Sequence, residues 1–201
     1  PDAPGVIIVE DDLIFAPDFL EFFHAVAPLI EYDGTLWMVS AWHDNGFPHL
    51  VHDSKRLLRT AFMPGLGWLM PRALWQDELK AKWPSLNWDH WMREPAQHKG
   101  REVVFPQVPR VFHAGSQGTF MDFKTHDKYF AKIAVNRDDA VSWVLPTPSR
   151  PSISDTFVLD AASRNYEEYV AAHLQSALTA RSGEDLQRLN GSAMNLSIWI
   201  C

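Results

Sequence analysis

Val6-Ile7-Ile8-Val9, followed at once by Glu10-Asp11-Asp12, is the stretch that decides the fold. An unbroken β-branched run of this kind reads as a strand buried on both faces, as in the parallel sheet of an α/β domain. It ends in three consecutive carboxylates. Ligands of open α/β sheets bind outside the carboxyl ends of the strands, so acids placed there suit a divalent cation and the phosphate it carries. A second role fits the same residues, which is to cap the helix that follows.

Working outward, Pro17 suits the first turn of a helix, and Phe19, Phe22, Phe23, Val26 and Ile30 recur at helical spacing until Pro28 kinks or ends it. Leu36 to Trp42 reads as the next strand, closed by the turn Asp44-Asn45-Gly46. Two glycines in Met63-Pro64-Gly65-Leu66-Gly67-Trp68 mark backbone passing close to a ligand or another element. Pro71 is expected to open a helix that Pro84 ends. Asn87 is expected to cap a short helix carrying Trp88-Asp89-His90-Trp91-Met92-Arg93, with Gly100 beyond it. Val103 to Phe105 and Val111-Phe112 read as short strands, Gly115 to Gly118 as a loop, and Asp122 to Ile133 as a helix. The Pro/Ser-rich segment 146–152 divides residues 1–145 from a linker and C-terminal helical region, 146–201, with a helix from Asn165 to Arg181.

A chain of 201 residues with 46% hydrophobic content can bury one sizeable core. Nine Trp and twelve Phe supply much of it, and aromatic faces also stack on sugar rings. The formal net charge of −7 argues against a nucleic-acid backbone or an anionic membrane surface as partner. Cys201 is the only cysteine, which excludes a disulfide within the chain and a cysteine-based zinc site. The sequence shows no apolar run of about 20 residues, the length of a membrane span. With no initiator Met, and a strand starting almost immediately, it is expected to be a piece of a longer protein.

Two positions stand out chemically. Asp11 and Asp12 can hold a hard cation such as Mg²⁺ or Mn²⁺, which needs only one or two protein carboxylates when phosphates complete its shell. Asp89, set beside Trp88 and Trp91, is a partly desolvated carboxylate that can accept a proton from a bound hydroxyl, and it equally suits a helix first turn. His43, His49, His52, His90, His98, His113 and His126 lack metal-ligand spacing and read as surface or core residues. HExxH, GxSxG and P-loop patterns are absent from the sequence, which disfavours a zinc peptidase, a serine hydrolase and a nucleotide triphosphatase.

Taken in order, Val6 to Asp12, Ser40-Ala41-Trp42-His43-Asp44-Asn45-Gly46, Arg59-Thr60 with Pro64-Gly65-Leu66-Gly67-Trp68, Lys82-Trp83-Pro84, Trp88 to Arg93 and Lys99-Gly100-Arg101 resemble the N-acetylglucosaminyltransferase I family over about Val6 to Asn136. The resemblance implies an α/β fold that is part of a GT-A type glycosyltransferase domain, a mixed sheet flanked by helices. The family's nucleotide-binding half would precede Val6, and its membrane anchor would lie upstream again, which implies a Golgi membrane protein with this chain on the lumenal side. The implied reaction is inverting transfer of GlcNAc from UDP-GlcNAc, with Mn²⁺ as cofactor, to a mannose hydroxyl in β-1,2 linkage on a glycoprotein. The resemblance casts Asp12 as metal ligand, Glu10 and Asp11 as donor-binding residues, Ser116 as a diphosphate contact and Asp89 as catalytic base. His90 stands where the N-glycan enzymes usually carry a second Asp, which their O-mannose relative also lacks, and the loop around Gly115 is short. N-glycan processing is the favoured acceptor pathway. An O-mannose acceptor, a fragment that binds metal or glycan without catalysis, and a metal-dependent phosphoesterase using Asp11 and Asp12 are the alternatives. Asn190-Gly191-Ser192 and Asn195-Leu196-Ser197 fit the N-glycosylation pattern.

Overall fold

The computed structural model describes residues 3–118, 121–147, 149 and 153–176. Its elements run β1 (Gly5–Ile8), β2 (Leu13–Phe15), α1 (Phe19–Val26), α2 (Pro28–Tyr32), β3 (Leu36–Ser40), β4 (Leu57–Thr60), β5 (Trp68–Pro71), α3 (Trp88–Met92), α4 (Pro95–His98), β6 (Glu102–Pro106), β7 (Val111–His113), α5 (Phe123–Lys128), α6 (Thr156–Asp160) and α7 (Ser163–Ser176). Five strands form one sheet in the order β1-β5-β3-β6-β4, and β2 pairs with β7 in a separate ribbon. The β3–β6 pair is parallel and the other pairs are antiparallel, so the sheet is mixed. The chain divides into two compact units, one ending at Ala162 and one starting at Ser163. Helix α6 therefore lies inside the first unit, beyond the Pro/Ser-rich stretch.

The central strand shows how sequence is turned into two layers of core. A register irregularity between Leu36 and Met38 puts Trp37 and Met38 on one face of the sheet and leaves Leu36 and Val39 on the other. On the Leu36 face, Phe19, Phe22, Phe23 and Val26 from α1 and Leu29 from α2 close the core, with Pro28 breaking the helical run between them as the spacing predicts. On the Trp37 face, Met63, Trp68, Leu74, Leu79 and Met92 pack under a tryptophan group. Trp88 stacks with Trp68 at 5.6 Å and with Trp83 at 6.1 Å, and Trp83 meets Trp75 and Trp91 edge-on. This face carries Asp89.

Three local expectations change. The strand read as buried on both faces is an edge strand among the described residues, paired there with β5 alone and antiparallel, with Val6 51% and Val9 45% exposed. Pro71 ends β5 opposite Gly5 rather than opening a helix, and the helical segment behind it is wide-turned over Leu74–Leu79 and tight over Lys80–Lys82. Asn87 stands at the start of α3 in the left-handed region (φ 52°) and caps it with no side-chain bond, while Gly100 follows α4 instead of α3. In the second unit α7 covers the first part of the expected 165–181 helix; residues 177–181, Cys201 and both glycosylation triplets lie outside the described residues. Among the described residues no helix is long and apolar enough to cross a membrane.

Buried charge pins the first unit. Asp18, at the start of α1, accepts both from Arg110 Nε at 2.9–3.0 Å and from Asn136 Nδ2 and Trp143 Nε1 at 2.9 and 3.0 Å. Arg110 also donates to the carbonyls of Val108 and Ser54, so the guanidinium is satisfied although fully buried. Asp155 caps α6 through the N–H groups of Phe157 and Val158 and binds Val144 N–H and Lys55 Nζ, each at 3.0 Å. Burial alone would raise its pKa, but these bonds outweigh burial and hold it below the ordinary carboxylate value. Glu78 is held low in the same way, first by the forked pair with Arg101 at 2.8–2.9 Å. A depressed acid stabilises the fold above its unfolded pKa and stops doing so as pH falls through its folded one. Thermal melts should accordingly hold steady from neutrality down to the ordinary carboxylate range and then fall with further acidification. Asp155→Asn should flatten that acid limb, and an unchanged limb would contradict this assignment.

Candidate active site

Glu10, Asp11 and Asp12 form the turn that carries the chain from β1 into β2, closed by Leu13 N–H on the Glu10 carbonyl at 3.4 Å. They are not a helix cap, because β2 follows them and α1 begins only at Phe19. Asp12 precedes Leu13, whose partner in the β2–β7 ribbon is His113. That register sets His113 Nε2 3.4 Å from Asp12 Oδ2. Glu10, Asp12 and His113 each offer a ligand atom, and these atoms lie within 4.8 Å of one another.

The loop after β7 folds back over this corner. Ala114 N–H binds the Asp12 carbonyl at 2.9 Å, and Gly115 lies so close that a Cβ there would overlap Asp12 Oδ2 and sit 2.9 Å from its Cγ. Only glycine leaves the carboxylate where it is. Ser116, half-buried, follows in the same loop. Asp12 Oδ1 and His113 Nδ1 are both buried without a hydrogen-bond partner, an arrangement that costs about 1–3 kcal/mol for each group left unpaired. Together with the charge of the corner, the orphaned Asp12 oxygen fits a bound cation. Gly115→Ala is expected to leave the thermal midpoint within a few degrees while lowering Mn²⁺ affinity about tenfold or more, the scale of loss when a ligand's support is disturbed. Titration of Mn²⁺ into both proteins checks it, and unchanged affinity would refute the role given to Gly115.

Asp89 lies near enough to this corner for its charge to act on Glu10. Glu10, although exposed, has its pKa raised first by partial desolvation and then by the charges of Asp12, Asp11 and Asp89, so four carboxylates share one field. Asp89 lies in the first turn of α3 with its side chain 39% exposed, held from behind by Arg93 Nη1 at 3.1 Å. Arg93 is itself fixed, with Nε donating to the Met63 carbonyl at 3.1 Å and its guanidinium 4.6 Å from the Phe62 ring. The Met63–Trp68 loop behind it takes left-handed backbone at Gly65, Leu66 and Gly67 in succession (φ 75°, 44° and 72°). The Ser40 hydroxyl lies 3.0 Å from the Gly65 carbonyl, Ala41 N–H binds the Gly67 carbonyl at 2.7 Å, and Gly67 passes against Val111. Gly67 thus serves a close approach between elements, whereas Gly65, with open space around it, serves only the left-handed backbone. His90 points to Asp89 only at 3.9 Å and is 79% exposed.

Glu10 and Asp12 of the acidic turn therefore meet a residue that reading by spacing passed over, His113, at one corner. The signal for it was strand parity: Val111 and His113 face the same way and are buried while Phe112 between them is not.

Fold and corner together define a mixed α/β protein with a candidate divalent-cation site beside an accessible, oriented carboxylate. A family model described as the GNT-I family matches residues 2–146, and the chain belongs to that family. The alpha-1,3-mannosyl-glycoprotein 2-beta-N-acetylglucosaminyltransferase of Arabidopsis thaliana is 43% identical over 138 residues, which cover 69% of this chain and 30% of that protein. The chain thus spans under a third of that relative's length.

Proposed function

We propose that this chain is the metal-binding and acceptor-side part of a GT-A type catalytic domain. It takes part in transferring GlcNAc, with inversion, from UDP-GlcNAc to a mannose hydroxyl in β-1,2 linkage during N-glycan processing. The observation that carries the reading is the meeting of ligand atoms of Glu10, Asp12 and His113 within 4.8 Å of one another, at a corner where an Asp12 oxygen is buried without a partner. Membership in the GNT-I family and the printed activity of the Arabidopsis relative support the choice of sugar and acceptor.

Asp12 holds the cation, for which we propose Mn²⁺; bound there, it would neutralise charge building on the diphosphate leaving group. Glu10 and Asp11 orient the donor sugar and ribose, and Ser116 contacts the diphosphate. Asp89 accepts the proton of the acceptor hydroxyl as that oxygen attacks the anomeric carbon and the bond to the phosphate oxygen breaks, UDP leaving with the electron pair. A carboxylate is a weak base, so the rate comes mainly from position, which Arg93 and the Trp88 stack supply. By the same family inference the protein acts on the lumenal side of the Golgi membrane.

Calorimetry with UDP-GlcNAc tests the donor site. Binding is expected to require Mn²⁺ and to vanish in Asp12→Ala. Donor binding that ignores both would overturn the reading, and hydrolysis of simple phosphate esters would favour a phosphoesterase built on Asp11 and Asp12 instead.

A further inference from the structure

We infer that the pocket between the turn after β3 and the end of α5 is a subsite for a second hexopyranose ring of the acceptor, distinct from the ring that reacts. The inference rests on the reading of the acceptor as a glycan, and it concerns residues given no part in the transfer itself.

Strand direction sets the location. Strands β1 and β3 both pair antiparallel with β5, so they run the same way and their carboxyl ends share one end of the sheet. The acidic turn follows β1, and Trp42 to Gly46 follow β3. Ligands of open α/β sheets collect at that end. One ring joins the two places: Phe130 lies 5.1 Å from the His113 ring and stacks on Trp42 at 5.8 Å, the planes 12° apart. Next to this stack is a pocket of about 350 Å³, walled by Trp42 and Phe47 from the β3 side and by Tyr129 and Phe130 from the α5 side, with Asp44 and Asn45 as its polar lining. That volume is at the small end for ligand sites and suits one ring.

The pocket is built before anything binds. Gly46 N–H meets the His43 carbonyl at 3.3 Å, closing a turn that sets Asp44 and Asn45 side by side. A Cβ on Gly46 would come 2.6 Å from Pro109 Cγ and 3.0 Å from Ile133 Cγ2, and its carbonyl accepts from Ala134 N–H at 2.7 Å. The two walls are thereby tied together, which lowers the ordering cost of binding. Asp44 Oδ1 accepts from Trp42 Nε1 at 3.1 Å, leaving Oδ2 and the Asn45 amide with no hydrogen-bond partner among the described residues. Aromatic faces beside both acceptors and donors match a pyranose, which has apolar C–H faces and hydroxyls that donate and accept. A cation would leave the amide donors unused, and a purely apolar ligand would strip water from the carboxylate without replacing its bonds. Tyr129 is 47% exposed, so its ring is open to a ligand.

The test compares, in the complete catalytic domain, kcat/KM for transfer to a mannose trisaccharide with kcat/KM for methyl mannoside, which carries no second ring. The wild type should favour the trisaccharide. Asp44→Asn, Asn45→Ala and Tyr129→Ala should each lower the ratio of the two values, by about tenfold for Asp44→Asn, the scale of a lost hydrogen bond to a charged group. Asp44→Asn keeps an oxygen for Trp42 Nε1, and Tyr129 is half on the surface, so neither change should disturb folding. Tyr129→Phe, which keeps the ring, should retain the preference. A wild type without the preference, or a ratio unmoved in all three variants, would overturn the subsite and leave the transferase reading standing. An equal fall for both acceptors would also overturn it, since the residues would then serve the reaction or the fold. Failure of the wild type to transfer to either acceptor would overturn the proposed function and the subsite with it.

Discussion

In the complete catalytic domain, Asp89→Asn is expected to lower kcat for the proposed GlcNAc transfer by about 10²–10⁴-fold, the range supplied by a positioned general base, with the KM for UDP-GlcNAc and the thermal midpoint nearly unchanged. The substitution is close to isosteric, so an Asn at this position still accepts from Arg93 through its amide oxygen. The Trp88 stack, packed on Trp68 and Trp83, does not depend on the charge. What disappears is a basic oxygen that can take the proton of the attacking hydroxyl. Steady-state kinetics and a melt on the same preparations separate the outcomes. Near wild-type kcat would remove Asp89 from the chemistry. A collapse of the melt would show that the carboxylate serves the fold.

The second large effect is on stability. Asp18→Ala should cost about 3–5 kcal/mol in denaturant unfolding, the scale for leaving one member of a buried ion pair without its partner. Arg110, fully buried, would keep only the carbonyls of Val108 and Ser54, and the donors Asn136 Nδ2 and Trp143 Nε1 would lose their shared acceptor. Removing both charges, as in Asp18→Leu with Arg110→Met, should recover much of the loss, because the desolvation cost of the pair goes with it. The exposed cap Asp122, which takes Thr125 N–H at 3.0 Å, is the comparison: its replacement by Ala should cost far less. A loss for Asp18→Ala no larger than for Asp122→Ala would show that the Arg110 cluster is not what pins α1 to the ribbon.

Local patterns in the chain foretold local structure well. The Phe19-Phe22-Phe23-Val26 spacing and Pro28 placed α1 and α2, and the glycines of Gly65-Leu66-Gly67 marked a backbone that does pass tightly against Val111. Pairing was less legible. An apolar run such as Val6–Val9 reports that a strand forms but not how many neighbours it has, and β1 turned out to lie at the sheet edge. Asn87 does stand at the N-cap of α3, but with its backbone in the left-handed region its side chain makes no capping bond. The acidic turn and Asp89 were legible because each is a contiguous motif. His113 was not, since its meeting with Asp12 depends on the register of β2 against β7, which no spacing rule carries.

The most direct test of the central claim is the anomeric configuration of the product. Incubated with UDP-GlcNAc, Mn²⁺ and a mannose-terminated glycopeptide, the complete catalytic domain that contains this chain should form a β-1,2-linked GlcNAc, read from the coupling constant of the new anomeric proton, and Asp12→Ala should form none. An α-linked product, or release of free GlcNAc or phosphate with no transfer to the acceptor, would contradict it.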